Sequence, residues 1–189
     1  MKLLKEKIIN EGKVVDSEVL KVDNFLNHQL DINFLNEIGK EFKEIFKDIK
    51  VDRILTIESS GIAIAYATAK YFDVPVVFAK KTESRSLDEE IYESQIFSFT
   101  KGRAYKARVS KKYIKNGENI LILDDFLANG RAVLGLKCIV EQARANLSGV
   151  GIVIEKGFQE GGRLLRDMGI NLKSLAIIDS MEKGKIKFR

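Results

Sequence analysis

Apolar positions along the chain switch repeatedly between helical and strand spacing. Between Phe34 and Ile49 they recur at helical intervals, with Lys and Glu on the other side, which predicts an amphipathic helix. Short apolar runs at Arg53–Ile57 and Val76–Ala79 predict strands, and the Ala-rich stretch Gly61–Phe72 between them predicts a helix. The first half of the chain therefore contains two strand–helix units.

The second half continues the alternation after a predicted hairpin. Its strands are expected at Gln95–Thr100 and Arg103–Ser110, around Lys101 and Gly102. Then follow strand Ile120–Asp124, helix Arg131–Asn146, strand Gly149–Glu155, a short helix near Gly162–Met168 and strand Ser174–Asp179. This order predicts the α/β class, with an open, mostly parallel sheet flanked by helices, and 189 residues suit a single domain over positions 1–189.

Composition favours a soluble cytoplasmic protein. Hydrophobic residues make up 45% and charged residues 31% of the chain, and no apolar run approaches the roughly 20 residues that cross a bilayer, so no membrane association is expected. No export signal is visible at the N-terminus. The single cysteine, Cys138, has no partner for an internal disulfide, which suits a reducing compartment.

The net charge of +5 is concentrated in one segment, residues 101–115. The segment contains no acid, and its cations are Lys101, Arg103, Lys106, Arg108, Lys111, Lys112 and Lys115. Interleaved Tyr105 and Tyr113 could stack on bases, so nucleic acid is one conceivable partner. A solvated hairpin face near substrate phosphates or a subunit contact is the favoured interpretation, and no nucleic-acid partner is expected.

The segment Ile120–Ala132, ILILDDFLANGRA, combines a buried strand, two acids and a turn. Asp124 and Asp125 stand where the strand is expected to leave the sheet, and a helical pattern starts at Arg131. Unpaired N–H groups at a helix start attract phosphate, and carboxylates accept hydrogen bonds from ribose hydroxyls. The segment thus suits a ribose phosphate. The structural alternative is that Asp125 or Asn129 only caps the helix.

This segment resembles the phosphoribosyl pyrophosphate loop of the class I phosphoribosyltransferases. VLKVDNFLNHQLDI (19–32), ESSG (58–61) and IEKGFQEGG (154–162) extend the resemblance over essentially the whole chain, to the bacterial xanthine-specific branch of that family. The resemblance implies the fold of that family, with a small hood formed by residues 1–32 and a loop and hairpin at 80–110. It also implies transfer of the 5-phosphoribosyl group from phosphoribosyl pyrophosphate to xanthine, giving xanthosine 5′-monophosphate and pyrophosphate in purine salvage.

The resemblance also implies which residues bind the sugar diphosphate. Asp124 and Asp125 would be the catalytic residues, with carboxylates that accept hydrogen bonds from the ribose hydroxyls. The residues assigned to the 5-phosphate are Ala128, Asn129, Gly130, Arg131 and Ala132. The wider class usually has Thr in place of Asn129 and Ala132 and a second Gly in place of Arg131, so the backbone would supply most contacts and Arg131 could compensate by charge. Asn at position 129 also occurs in the xanthine-specific branch.

The diphosphate is expected between a strand and a helix, at Ser59 and Ser60. Helix capping is the alternative role for these serines. Mg²⁺ is expected as the cofactor, carried on the substrate's diphosphate rather than in a protein metal site, because it keeps its waters and binds substrate phosphates. The polar stretch Lys80–Glu90 suits a loop that closes as a lid.

The base is expected to contact two parts of the chain. Lys156 follows a predicted strand, so its ammonium could reach the carbonyl at purine position 6, and Phe158 could stack on the ring. By resemblance, Leu20 and Asn27 belong to the hood over the base, and the Asn27 amide suits xanthine's second carbonyl and ring N–H. His28, the only histidine, is interpreted as structural, and the group that removes the base's proton stays unassigned.

Two alternatives stay open beside xanthine salvage. One is a regulator of the same fold that binds phosphoribosyl pyrophosphate as an effector and nucleic acid through residues 101–115. The other is a salvage enzyme that mainly uses guanine or hypoxanthine. Homodimers are expected from the family alone.

Overall fold

The computed structural model of the protein describes residues 1–15, 18–81, 90–98 and 103–189. Most of the predicted Lys80–Glu90 loop, and the hairpin turn at Lys101 and Gly102, lie outside the described residues.

The described residues form helices and strands in alternation. The helices are α1 (Lys2–Glu11), α2 (Ile32–Ile45), α3 (Ser60–Phe72), α4 (Arg131–Gln142) and α5 (Gly161–Asp167). The strands are β1 (Lys13–Val14), β2 (Leu20–Lys21), β3 (Arg53–Ile57), β4 (Val76–Ala79), β5 (Ile91–Ser98), β6 (Arg103–Ser110), β7 (Asn119–Leu127), β8 (Asn146–Lys156), β9 (Leu172–Ser180) and β10 (Lys187–Phe188). The described helices offer no segment that is both long and apolar enough to cross a membrane.

The central sheet has six strands in the order β10-β9-β8-β7-β3-β4. The five strands from β9 to β4 run parallel, and only β10 is antiparallel to its neighbour. The predicted open, mostly parallel α/β sheet flanked by helices is therefore confirmed. Because the strands are parallel, the carboxyl ends of β3, β7 and β8 lie at one edge.

The sheet separates two apolar clusters. Leu121 and Leu123 of β7 pack into the cluster that contains α2 and α3, whereas Ile120 and Ile122 pack into the cluster that contains α4 and the β5–β6 hairpin. This alternation is what a strand covered on both faces requires.

One predicted boundary is wrong at the site itself. β7 does not leave the sheet at Asp124 but continues to Leu127, because Phe126 and Leu127 still pair with β8. Both acids therefore belong to the strand, where they are held more rigidly than in a loop.

The N-terminal segment packs against the sheet's first cluster. Phe25 and Leu26 are buried within a π-helical turn at Asp23–Asn27, and the Phe25 ring meets the Phe34 ring edge-on with centroids 5.5 Å apart. The Lys7 ammonium lies 2.9 Å from a carboxylate oxygen of Asp31, which joins α1 to the start of α2. These contacts fix the turn that ends in Asn27.

Candidate active site

Several predicted site segments meet at the carboxyl edge of the sheet. A Cβ at Gly61, in the first turn of α3, would lie 3.2 Å from Asp124 Oδ1. The Asn27 amide donates a 3.2 Å hydrogen bond to Asp125 Oδ2. The Lys156 ammonium lies 6.0 Å from the centroid of the Phe126 ring. The structure therefore brings the ends of β3, β7 and β8 and the N-terminal segment together.

The two acids are adjacent but have different surroundings. Both are buried, and the Asp125 backbone N–H donates to Asp124 Oδ1 at 3.0 Å. Burial, and next the charge of Asp125, raise the pKa of Asp124 well above its usual range, and the nearby Lys81 ammonium opposes this shift. Asp125 instead accepts hydrogen bonds from Asn27 and from the Phe126 N–H. Asp124 thus lies by the α3 start and Asp125 by the N-terminal segment.

The segment Ala128–Ala132 runs from the end of β7 through a tight turn at Ala128–Gly130 into the first two residues of α4. Gly130 has φ of 78°, a left-handed conformation that favours glycine, and α4 begins at the next residue. The Gly161 N–H donates to the Ala128 carbonyl at 3.0 Å, so α5 supports the turn from behind. A cavity of about 170 Å³ opens beside this segment, lined also by Ile96 and Tyr105 of the hairpin.

The observed hydrogen bonds argue against the alternative that Asp125, Asn129 and Ser59 only cap helices. Gly130 precedes α4 with no side-chain cap, so neither Asp125 nor Asn129 caps that helix. Ser59 precedes α3 and likewise makes no side-chain capping bond. The N–H groups of both helix starts point to the same edge, where they can donate to anions.

The residues predicted at the base divide between the edge and the core. Lys156 donates to the Glu18 backbone carbonyl at 2.6 Å, which joins the end of β8 to the N-terminal segment. Leu20 is buried in the apolar cluster, while Phe158 is exposed on the surface after β8. Asn27 and Lys156 are therefore the predicted pair that the structure brings to the edge. Phe126, whose ring lies beneath Lys156, was not predicted.

Lys81 and Tyr105 are further site residues that sequence reasoning missed. The Lys81 ammonium lies 5.2 Å from the centroid of the Tyr105 ring, and the Lys81 N–H donates to Glu58 Oε1 at 2.5 Å. Burial, and then the charge of Asp124, raise the pKa of Tyr105. A bridge between Lys80 and Arg108 brings these residues together, and local sequence carries no signal for such a long-range pairing.

Several cations of the basic segment are paired within the hairpin. Lys106 and Arg108 lie 2.8 and 2.7 Å from the Glu93 carboxylate, and Lys111 lies 3.8 Å from Glu90. Because these cations are already paired with carboxylates, less positive charge is available for binding nucleic acid.

Metal-binding side chains are sparse. Over the described ranges, no group of three or more His, Cys, Asp or Glu could hold a metal ion. Asp124 and Asp125 form an isolated pair, a donor set that fits an ion brought in by a phosphate ligand better than a resident metal.

Comparison with known proteins identifies the class of this fold and site. The family model of the phosphoribosyl transferase domain matches residues 21–161, and the chain belongs to the phosphoribosyltransferase family. The xanthine phosphoribosyltransferase of Clostridioides difficile strain 630 is 64% identical to the chain, with all of both chains covered. That of Ruminiclostridium cellulolyticum is 58% identical over 100% of this chain and 99% of its own.

Solved structures show the same fold at low identity. An adenine phosphoribosyltransferase of Saccharomyces cerevisiae superimposes with a TM-score of 0.72 at 22% identity, covering 93% of this chain and 99% of its own. One from Rhodothermus marinus gives a TM-score of 0.73 at 17% identity, covering 94% and 99%. At these identities the likeness supports the fold alone.

Proposed function

We propose that the protein is a xanthine phosphoribosyltransferase. It transfers the 5-phosphoribosyl group of phosphoribosyl pyrophosphate to xanthine and releases xanthosine 5′-monophosphate and pyrophosphate, in purine salvage. The observation that carries the proposal is the full-length identity of 54–64% to several proteins of that name. The arrangement of acids, turn and lysine at the sheet edge supports it.

Each part of the sugar diphosphate has a candidate site on a separate element. The N–H groups of Ala128–Ala132 bind the 5-phosphate, Asp124 and Asp125 accept the ribose hydroxyls, and Ser59 and Ser60 bind the diphosphate. We add Lys81 to the diphosphate side, because its charge already acts on Asp124.

Catalysis in this proposal comes from positioning and charge. A purine nitrogen attacks the anomeric carbon as pyrophosphate leaves, and no covalent nucleophile of the protein is needed. Holding base and sugar in line can contribute up to about 7–11 kcal/mol. Mg²⁺ bound to the diphosphate would neutralise the leaving charge, and the adjacent carboxylates of Asp124 and Asp125 would suit such a complex.

Selection of the base rests on Lys156 and the N-terminal segment. The Lys156 ammonium donates to the 6-oxo group of xanthine but would face a second donor in the amino group of adenine. An unpaired polar group of this kind can cost ~10⁴-fold in kcat/KM. Residues 1–32 form the hood in this proposal, where Leu20 and Asn27 cover the base and Phe158 stacks on it.

The proposal extends to the setting of the enzyme. Residues 1–189 form a single domain in this proposal, and the described hairpin strands β5 and β6 lie beside the turn that binds the 5-phosphate. The enzyme works in the cytoplasm as a homodimer, and sedimentation of the purified protein tests the dimer.

The activity is tested with a panel of bases. Purified protein is incubated with phosphoribosyl pyrophosphate, Mg²⁺ and, separately, xanthine, guanine, hypoxanthine or adenine, and nucleotides are separated by chromatography. We expect xanthosine 5′-monophosphate as the main product. If no base gave a nucleotide, the enzyme proposal would fall, and preferential use of guanine or hypoxanthine would overturn the substrate assignment.

A lysine variant tests how the base is selected. Lys156→Ala should raise KM for xanthine by about tenfold or more while KM for phosphoribosyl pyrophosphate changes little, because a charged hydrogen bond to the base is lost. Lys173→Ala is the matched control, since Lys173 is an exposed lysine at the opposite end of the neighbouring strand β9. Unchanged xanthine kinetics in Lys156→Ala would remove this residue from the base site.

A further inference from the structure

A buried carboxylate that touches neither proposed substrate site stands directly before Lys156. Glu155 is 1% exposed, at the end of β8. Resting on the proposed function, we infer that Glu155 is a positioning residue. Through helix α5, it fixes the 5-phosphate turn and the base-binding lysine relative to each other.

The first step is the attachment of Glu155 to α5. Arg166 of α5 donates two hydrogen bonds of 2.7 Å, one to each oxygen of the carboxylate. Ser174 of β9 donates a third, of 2.5 Å, to Oε2. A Cβ at Gly162 would lie only 2.0 Å from Oε1, so the carboxylate rests directly against the start of α5. A buried carboxylate is stable only when paired in this way, and the two-point geometry with Arg166 also fixes the orientation of the helix.

The second step runs from α5 to the phosphate turn. The Gly161 N–H donates to the Ala128 carbonyl, and a Cβ at Gly130 would lie 3.4 Å from Gly161 Cα. Leu127, the residue before the turn, is paired in register with Glu155 across β7 and β8. The turn is thus held by the strand register before it and by the start of α5 behind it, and Glu155 takes part in both.

The third step runs from Glu155 to Lys156. The two residues are consecutive in β8, but Glu155 contacts α5 while Lys156 contacts the Glu18 carbonyl of the N-terminal segment. The chain then turns back toward α5, with the Gln159 N–H donating to the Lys156 carbonyl at 2.9 Å. A shift of the Glu155 carboxylate would therefore move the phosphate turn and the Lys156 backbone together.

A second Arg–Glu ion pair lies away from the site and serves as the control for the pair of Arg166 and Glu155. Arg53 donates to both oxygens of Glu118, at 3.1 and 2.7 Å, and the two side chains are 15% and 18% exposed. This pair joins the start of β3 to the residue before β7, at the opposite edge of the sheet. It is an ion pair of the same chemistry, and its carboxylate also accepts a hydrogen bond of 2.9 Å from the Lys115 N–H, far from the proposed substrate-binding residues at the carboxyl edge.

The test compares Glu155→Gln with Glu118→Gln. Each substitution keeps the side-chain shape and places an amide N–H₂ against an arginine. We measure the thermal midpoint, the Kd of ribose 5-phosphate by calorimetry, and KM for both substrates of the full-length protein. Both variants should melt at lower temperature than the wild type. Only Glu155→Gln should weaken ribose 5-phosphate and raise KM for both substrates, by about tenfold, because a misplacement of the order of 1 Å can cost ~10²-fold.

A second variant keeps the inference testable if Glu155→Gln does not fold. Arg166 is 37% exposed, and in Arg166→Gln the new amide N–H₂ and the Ser174 hydroxyl can still donate to the carboxylate, so this variant should fold and show the same loss of ribose 5-phosphate affinity. Arg166→Lys keeps the charge and should restore part of that affinity.

Different results would overturn the two proposals. Wild-type ribose 5-phosphate affinity in a folded Glu155→Gln or Arg166→Gln variant, or an equal loss in Glu118→Gln, would reduce Glu155 to a structural residue in an enzyme that is still active. A wild-type protein that makes no nucleotide would instead overturn the proposed function itself, and this inference with it.

Discussion

A single methyl group at Gly161 would test how the turn Ala128–Gly130, which is proposed to bind the 5-phosphate, is supported. In Gly161→Ala, the new Cβ would lie 2.3 Å from the Ala128 carbonyl oxygen, 2.5 Å from the Gly130 nitrogen and 2.8 Å from the Asn129 carbonyl carbon. All three atoms are backbone atoms of the turn, so no side chain can rotate away.

The size of the effect follows from these distances. An ordinary contact begins at 3.4 Å, so the Ala128 oxygen must move by about 1.1 Å relative to α5. Overpacking of this kind costs about 1–3 kcal/mol of stability. A displacement of this size at a phosphate site can lower kcat/KM about 10²-fold, which corresponds to about 2.7 kcal/mol. We therefore expect kcat/KM for phosphoribosyl pyrophosphate to fall far more than stability alone explains.

The assay measures initial rates at saturating xanthine, together with a thermal melt. Gly149→Ala is the control, because its Cβ would lie 2.8 Å from Phe46 Cε1 at the other end of β8 and overpacks the core only. It should melt earlier with unchanged KM for phosphoribosyl pyrophosphate. Wild-type kinetics in Gly161→Ala would refute the reasoning that α5 sets the position of the turn.

Three further substitutions probe charge. Asp124→Asn should raise the melting temperature of the ligand-free protein at pH 7, by about 2–4 °C per kcal/mol gained, and lower kcat/KM about tenfold or more. Burial raises the pKa of Asp124 in the folded state. The free energy of unfolding of the wild type should therefore fall as the pH rises above 3.8, the ordinary pKa of an aspartate, and Asp124→Asn should lack this pH dependence. In Lys7→Met, Glu11 and Asp31 lose the cation that they share, so the free energy of unfolding measured with denaturant should fall by about 1 kcal/mol. Arg131→Gln, at an exposed position, should raise KM for phosphoribosyl pyrophosphate a few-fold at low salt and less at high salt.

Each of these has a result that contradicts it. A lower melting temperature in Asp124→Asn would mean that the carboxylate stabilises the empty site. An unchanged denaturation midpoint in Lys7→Met would show that the Lys7 ion pairs add nothing to the other contacts of the N-terminal segment. A salt-independent effect in Arg131→Gln would point to a change of turn geometry rather than a loss of charge.

Sequence patterns predicted those elements that a compact apolar run marks in the chain. The predicted bounds of β3 and β4 match the observed ones, because a short, mostly apolar run favours a strand that is buried in a parallel sheet. The end of β7 was mispredicted, since acids usually mark the end of a strand and these two are instead buried within it. α1 was not predicted. Only Leu4 and Ile8 are buried on it, and two apolar positions do not form a helical pattern that can be recognised in the sequence.

The site, too, has residues that the sequence predicted and residues that it did not. Sequence resemblance pointed to Asp124 and Asp125 and also to Asn27 and Lys156, which lie far from the two acids in the chain but close to them in the structure. It did not point to Lys81 or Tyr105, which reach the site only through the bridge between Lys80 and Arg108. The link between Glu155 and Arg166 is likewise a product of tertiary packing, which single-sequence reasoning cannot see.

The hydrogen bond from Asn27 to Asp125 has a thermodynamic consequence for the proposed reaction. The amide donates to Asp125 Oδ2, and in the proposed reaction the ribose hydroxyls would donate to the same carboxylate, so sugar and hood share one acceptor group. Ribose binding would release Asn27 toward the base, and the two ligands would become coupled. Linkage then requires that the factor by which phosphoribosyl pyrophosphate changes the affinity for xanthine equals the factor by which xanthine changes the affinity for phosphoribosyl pyrophosphate. Affinity for the base measured on the empty protein would therefore differ from the affinity that operates during turnover.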